Sequence, residues 1–210
     1  MRNLPHKTVE RLSKYRRALL NVMLLGKKHI FSHELADLIH ITSVQVRRDI
    51  MLIGYTGTHR RGYEVEELIS LIGKIIDSKE GQKVAIIGFG NLGKAFIRYI
   101  SGQRTNLKIA AAFDINEDKI NRSFNGVVCY HIDRLNEILK KENITVAIIT
   151  VPANQAPSVA ESLEEAGIKG ILNYSARPIN VDKKIYLEEY DMITSLEKVA
   201  YFVKKNQQTS

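Results

Sequence analysis

Three glycines at positions 88, 90 and 93, a carboxylate at 114 and arginines at 47, 48, 60 and 61 are the residues whose types and spacing can do chemistry. Gly88-Phe89-Gly90-Asn91-Leu92-Gly93 has the Gly-x-Gly-x-x-Gly form. In that form the first glycine makes a tight turn, the second lets backbone approach a pyrophosphate, and the third lets helix and strand pack closely. The phosphates then rest at the positive end of the following helix. Asp114 lies 21 residues beyond Gly93. An acidic residue there accepts hydrogen bonds from an adenosine ribose and repels a 2′-phosphate, so NAD+/NADH is the expected cofactor. Catalytic equipment is sparse. The single cysteine, Cys129, excludes an intrachain disulfide framework and a Cys-based zinc cluster, and no metal is expected. His131 is the one histidine after residue 63 and is expected in a connection. A dehydrogenase needs a general acid/base beside the hydride acceptor, usually with a substrate domain. The expectation is therefore a binding protein, with an NAD-dependent dehydrogenase or a coenzyme A-binding Rossmann protein as alternatives.

Hydrophobic spacing supplies the elements that carry these residues. Residues 83–87 are a β-branched apolar run leading straight into the glycine motif, and 94–99 read as the helix beyond it. The next strand, 108–113, delivers Asp114 at its end. Further strands are expected at 145–150 and 171–172, with a helix over 156–166 between them, closed by Gly167. Such alternation gives an α/β fold, a Rossmann-like doubly wound parallel sheet, whose ligands bind at the carboxyl ends of the strands. Thr150, Val151, Pro152, Asn173 and Tyr174 fall there and are candidate nicotinamide neighbours. The set Gly88, Phe89, Gly90, Asn91, Leu92, Gly93 and Asp114 completes the candidate cofactor site.

The arginines point to a different ligand. Residues 1–63 hold 12 Lys/Arg against 4 Asp/Glu, whereas the remainder holds 19 of each, so the whole net charge of +8 belongs to the first third. Five of the six histidines lie there too. A surplus confined to one segment indicates a polyanionic partner. No apolar run approaches the ~20 residues of a membrane helix, and residues 1–7 have no apolar core of the secretory kind. A cytoplasmic protein with no membrane partner is expected, and 44% hydrophobic with 26% charged residues is a globular balance.

Within this head, residues 8–26 have helical spacing, with Val9, Leu12, Leu19, Leu20 and Met23 as the apolar stripe. A short helix opens with Ser32 as N-cap and carries Leu35, Leu38 and Ile39. Thr42-Ser43-Val44-Gln45 fits a capping box in which Thr42 and Gln45 satisfy amides reciprocally. The helix it opens runs to about Ile53, burying Val46, Ile50 and Ile53 and leaving Arg48 opposite. This is a helix-turn-helix pattern whose second helix can enter a major groove. Arg47, Arg48 and Gln45 are candidate base readers, and Ser43 suits a phosphate. The glycine-rich stretch 54–63 reads as a wing with His59, Arg60 and Arg61 at or near its tip. A helix with Leu68, Leu71, Ile72 and Ile75 follows, then a polar linker over 77–82. The expected organisation is 1–80 winged-helix DNA-binding domain, 81–193 Rossmann NAD(H)-binding domain and 194–210 dimerisation helix. That last helix, opened by a capping box at Thr194-Ser195-Leu196-Glu197, is apolar around much of its circumference and suits a partner subunit.

Several stretches, in order, resemble the Rex family of redox-sensing transcriptional repressors over nearly the full length. They are Gln45-Val46-Arg47-Arg48-Asp49, the wing ending Gly62-Tyr63, residues 88–93, Phe113-Asp114, Thr150-Val151-Pro152-Ala153, and 166–173. The resemblance implies a homodimer with swapped C-terminal helices that senses the NADH/NAD+ balance. Double-stranded operator DNA is bound in the NAD+ or unliganded form and released by NADH. By position, Tyr99, Asp191 and Arg17 match residues linking the nicotinamide to the DNA-binding domain. On that reading Asp191, across the dimer, pairs with Tyr99 when NAD+ is bound and with Arg17 when NADH is bound. Three stretches depart from the family pattern: the wing reads His59-Arg60-Arg61-Gly62-Tyr63 for Arg-Gly-Val-Gly-Tyr, Asn173-Tyr174-Ser175-Ala176 replaces Asn-Phe-Ala-Pro, and Met192 stands where an aromatic residue is frequent.

Overall fold

The amphipathic segments of the head fold around one apolar centre. The structure, a computed structural model, describes residues 4–58, 60–102 and 106–207. It divides into two units between Lys79 and Glu80. In the first, helix α1 (His6–Leu24) buries Thr8, Leu12, Tyr15, Leu19 and Val22. The buried stripe is thus rotated from the expected one, and Val9 is 39% exposed. Polar Thr8 and Tyr15 are tolerated inside because their hydroxyls are bonded, to Arg11 and Asp49 respectively. Strand β1 (His29–Ile30) leads into α2 (Ser32–Ile39). Its cap is Phe31, not Ser32: the Phe31 backbone N–H donates to the Glu34 carboxylate at 2.8 Å. Ala36 packs inward where Leu38 was expected, and Leu38 is exposed.

Helix α3 (Ser43–Leu52) follows, and Thr42 Oγ1 accepts from the Gln45 backbone N–H at 3.2 Å. The expected reciprocal half of that box is replaced, because the Gln45 side chain runs forward to Asp49. Val46, Ile50 and Ile53 are buried as expected. Strand β2 (Tyr63–Glu64) pairs antiparallel with β1, and α4 (Val65–Ile76) closes the unit with Val65, Leu68 and Ile72 inside. Asp77, expected in a linker, is fastened to Arg16 by contacts of 2.7 and 2.8 Å. Wing and sheet join through Gly62, at φ +74°, where a Cβ would lie 2.5 Å from the Ile30 carbonyl oxygen. Only glycine fits there.

The second unit alternates strand and helix: β3 (Gln82–Ile87), α5 (Asn91–Ser101), β4 (Leu107–Asp114), β5 (Ser123–Phe124), β6 (Val127–His131), α6 (Leu135–Glu142), β7 (Val146–Ile149), α7 (Ala156–Glu165), β8 (Gly170–Asn173), β9 (Tyr186–Glu189) and α8 (Met192–Gln207). The sheet order is β5-β6-β4-β3-β7-β8-β9, parallel except for the β5–β6 hairpin. From β3 the chain winds first through β4 and β6, then returns to build β7, β8 and β9 on the other side. A switch point therefore opens beside β3. Both faces are covered: Ala85 and Ile87 pack with residues of α6 and α7, and Val84 and Ile86 pack with Ile97 of α5. His131 ends β6 and does not lie in a connection. Helix α8 begins two residues before the expected boundary at 194 and is capped by Asp191, not by a box at Thr194.

Candidate functional site

The glycine turn after β3 and the ends of β4 and β7 enclose a cavity of about 600 Å³ at the switch point. Gly88, Gly90, Asp114, Thr150, Val151 and Pro152 line it, as the spacing predicts. The turn is locked from both sides. A Cβ on Gly88, at φ +104°, would meet the Thr150 carbonyl oxygen at 2.9 Å, and one on Gly93 would meet the Gly88 carbonyl oxygen at 2.2 Å. The Thr150 hydroxyl lies 2.9 Å from the Gly88 carbonyl oxygen and 3.0 Å from that of Ile87, which it can satisfy in turn. Gly90 differs, because a Cβ there would touch nothing within 4 Å. Its bareness leaves open space before the first turn of α5, where unpaired N–H groups meet an anion.

Asp114 ties the far side of the turn. One carboxylate oxygen accepts from the Phe89 N–H at 2.8 Å and from Lys119 Nζ at 2.8 Å, and the other accepts from the Asn116 N–H at 3.0 Å. Burial pushes this carboxyl up, but Lys119 and the two N–H groups outweigh it and hold the group below its ordinary value. A carboxylate offers roughly four lone-pair sites, so one remains for a ribose hydroxyl. Asn116, Lys119 and Gln155 also line the cavity, with Ile115, Ile132 and Val159. Sequence reasoning missed these six. The available signal for Asn116 and Lys119 was their place two and five residues after the strand-end Asp114, and for Gln155 and Val159 their place at the start of α7.

Other expected cofactor residues are placed differently. The Phe89 ring is 2% exposed and belongs to the core beneath the turn, so only its backbone faces the site. Asn91 is exposed and Leu92 half-buried, on the first turn of α5. Asn173 is 1% exposed with its polar groups used internally: the amide donates to the Arg177 carbonyl and Glu189, and the oxygen accepts from the Ser175 N–H and hydroxyl. It shapes the loop and does not line the cavity. The Tyr174 ring packs against Phe96 at 4.7 Å and Tyr190 at 5.1 Å, also outside the lining. Cys129 is buried, and its thiol is pushed up to about 11 by burial, reinforced by the charge of Asp114.

In the first unit, Arg47 and Arg48 are exposed on α3 and Arg60 and Arg61 are exposed in the wing turn. His59 lies outside the described residues. Arg47 donates to the Ser32 hydroxyl at 3.0 Å, joining the two helices of the motif. Ser43 is half-buried at the start of α3. Sequence reasoning missed the residue that organises this surface: Asp49, 2% exposed on α3, accepts from Arg11, Tyr15 and Gln45. Of the candidate relay residues, Arg17 is exposed on α1 in this unit, and Tyr99 is 59% exposed on α5 in the other. Asp191 caps α8 by accepting from the Ile193 and Thr194 N–H groups and from the Thr194 hydroxyl. Among the described residues no helix is long and apolar enough to cross a membrane.

Comparison with known proteins accounts for both units. The CoA binding domain family matches residues 79–177 and a family of DNA-binding protein N-termini matches 3–50. The redox-sensing transcriptional repressor Rex of Bacillus licheniformis is 40% identical over 201 residues, covering 96% of this chain and 94% of that one. The repressor of the same name from Bacillus cytotoxicus is 38% identical, with 96% of each chain covered. Among solved structures, RSP in complex with β-NAD+ and operator DNA has a TM-score of 0.89 at 28% identity, covering 100% of this chain and 96% of that one. RSP in complex with β-NADH has a TM-score of 0.86 at 27% identity, covering 100% and 98%. With such identity sustained along nearly all of its length, the chain belongs to the Rex family of redox-sensing transcriptional repressors.

Proposed function

We propose that this chain is a redox-sensing transcriptional repressor, a regulator and not an enzyme, which holds operator DNA as a homodimer and releases it when NADH binds. The observation that carries this is the likeness, end to end, to a protein solved with both β-NAD+ and operator DNA. The cavity fits a dinucleotide: open space before Gly90, donors on the first turn of α5, and a free acceptor site on Asp114. Asp114 then takes the adenosine ribose, Gly88, Gly90 and Asn91 border the pyrophosphate, and Thr150, Val151 and Pro152 border the nicotinamide. On the DNA side, Arg47, Arg48 and Gln45 face bases, while Ser43, Arg60 and Arg61 follow phosphates.

The switch is electrostatic. NAD+ carries a positive nicotinamide ring and NADH a neutral one. The Asp191 carboxyl is held below its ordinary value by the Thr194 hydroxyl and N–H, so it stays ionised and can respond to that charge. Reversing a 99:1 equilibrium takes about 10⁴-fold differential affinity, about 5.5 kcal/mol. The relay then runs from Tyr99 to Arg17 through Asp191 of the other subunit. Operator binding titrated against the NADH/NAD+ ratio tests both points: the wild type should lose DNA as NADH rises, and Asp191→Ala should lose that response. A flat wild-type response would sink the sensor. A coenzyme A reading is favoured by the CoA binding domain match alone, and displacement of bound NADH by coenzyme A would support it.

A further inference from the structure

Besides its apolar packing, the recognition helix is tied to α1 by the buried carboxylate of Asp49. Asp49 Oδ2 accepts from Arg11 Nε at 2.6 Å and from the Tyr15 hydroxyl at 2.8 Å. Its Oδ1 accepts from Arg11 Nη2 at 2.8 Å and from Gln45 Nε2 at 3.0 Å. Arg11 also donates to the Thr8 hydroxyl at 3.1 Å. Four donors on one carboxylate use essentially all of its lone-pair sites. Three of them come from α1 and fasten α3 to it. The fourth, Gln45, belongs to α3 itself, one turn earlier and on its half-exposed side. A glutamine amide has two N–H groups and one carbonyl oxygen, and an unrestrained one rotates freely among them. Here one N–H is taken by Asp49, which leaves the second N–H and Oε1 for a ligand. In a major groove, adenine shows an acceptor at N7 beside a donor at N6, the complement of that pair.

We propose that Asp49 is the positioning residue for base reading: it orients the Gln45 amide so that its oxygen and second N–H are presented to an adenine. This rests on the DNA-binding reading above. Asp49 itself touches no base. Its effect is on discrimination at one base pair, not on phosphate-dominated overall affinity, because the arginines that meet phosphate are separate side chains.

The test uses the full-length protein without cofactor, with duplexes selected from a randomised pool and then varied one base pair at a time. In the wild type one position prefers A·T, by roughly five- to a hundredfold over other pairs for a two-bonded contact. Gln45→Ala abolishes that preference. Asp49→Asn reduces it to the Gln45→Ala level while preferences elsewhere persist, because one acceptor oxygen remains and charged Arg11 takes it. Tyr15→Phe, which removes a different donor from the same carboxylate, leaves the preference intact. A full preference in Asp49→Asn, or an even loss at all positions, overturns the proposal. The wild type offers a check that does not depend on that variant's folding: the two side-chain amide protons of Gln45 should exchange with solvent at clearly different rates in the DNA-free protein. Equal exchange overturns the orientation. Selection of no duplex at all by the wild type removes the DNA-binding reading, and this inference with it; a selected duplex with no Gln45-dependent position overturns the inference alone.

Discussion

Asp49 and Asp114 are both charged against the pull of burial. Asp49 is raised by desolvation but held lower by Arg11, Tyr15 and Gln45. Asp114 is raised by desolvation but held lower by Lys119 and the N–H groups of Asn116 and Phe89. A carboxyl whose folded pKa lies below its unfolded value of about 3.9 binds fewer protons when folded, so its contribution is complete above that value and lost as pH falls through the folded pKa. Urea unfolding should therefore give a stability that is level from neutrality to about pH 5 and declines below it. Asp114→Asn should flatten part of that decline and weaken NADH binding. Stability that rises on acidification would contradict both assignments. Lys119 completes the picture at this scale, because its ammonium lets a nearly buried carboxylate stay ionised beside an apolar cavity.

At the scale of elements, the glycine turn shows that one motif holds two kinds of glycine. Gly93 is enforced by packing, since a Cβ would press on the Gly88 carbonyl oxygen at 2.2 Å and on Ile86 Cγ2 at 2.9 Å. Gly90 is enforced by nothing inside the protein, and its backbone, at φ −88°, suits any residue. The two substitutions should separate. Gly93→Ala should cost about 1–3 kcal/mol of unfolding free energy, the usual overpacking range, and lose cofactor with it. Gly90→Ala should melt like the wild type yet bind NADH at least about tenfold more weakly, the equivalent of some 1.4 kcal/mol. Calorimetry and NADH fluorescence titration on both proteins check this. Equal affinity in Gly90→Ala would mean that no ligand approaches there.

For the whole molecule, the decisive feature is α8. Met192, Ile193, Leu196, Val199, Tyr201, Phe202 and Val203 are all more than half exposed within one chain. Burying each is worth roughly 1.5–3 kcal/mol, so one such helix forgoes on the order of ten kcal/mol in isolation. On the proposed dimeric reading, a second copy completes a helix of this composition and matches the two half-sites that a dimeric DNA-binder spans. Truncation after Asp191 should convert a dimer to a monomer in sedimentation and cut affinity for paired half-sites far more than for one. A truncated chain that still sediments as a dimer would place the interface elsewhere.

Much of this was legible in the residues. The division of charge at residue 63, the glycine motif between a β-branched run and a helix, and Asp114 at its distance all depend on chain-local rules. A turn, a helix start and a strand end are set by neighbours in sequence. Residue-level solvent placement was less so. The burial of Tyr15 followed from a partner 34 residues away, the Asp49 carboxylate, and that of Thr8 from Arg11, which the same carboxylate holds. Asn173 reads as a strand-end ligand, yet folding spends its four bonds on its own loop and on Glu189. Lys119 enters the cavity because the chain turns back after β4, and β9 joins the sheet because its register with β8 is available. The sequence by itself determined the helices of the head, the strands β3, β4, β7 and β8 around the glycine turn, and which two ligand classes they suit, but it did not reveal β5, β6, α6 or β9. Only the tertiary structure decided which polar side chains face a ligand and which are consumed inside, because a hydrogen bond depends on what lies within three ångströms in space, and chain order does not encode that distance.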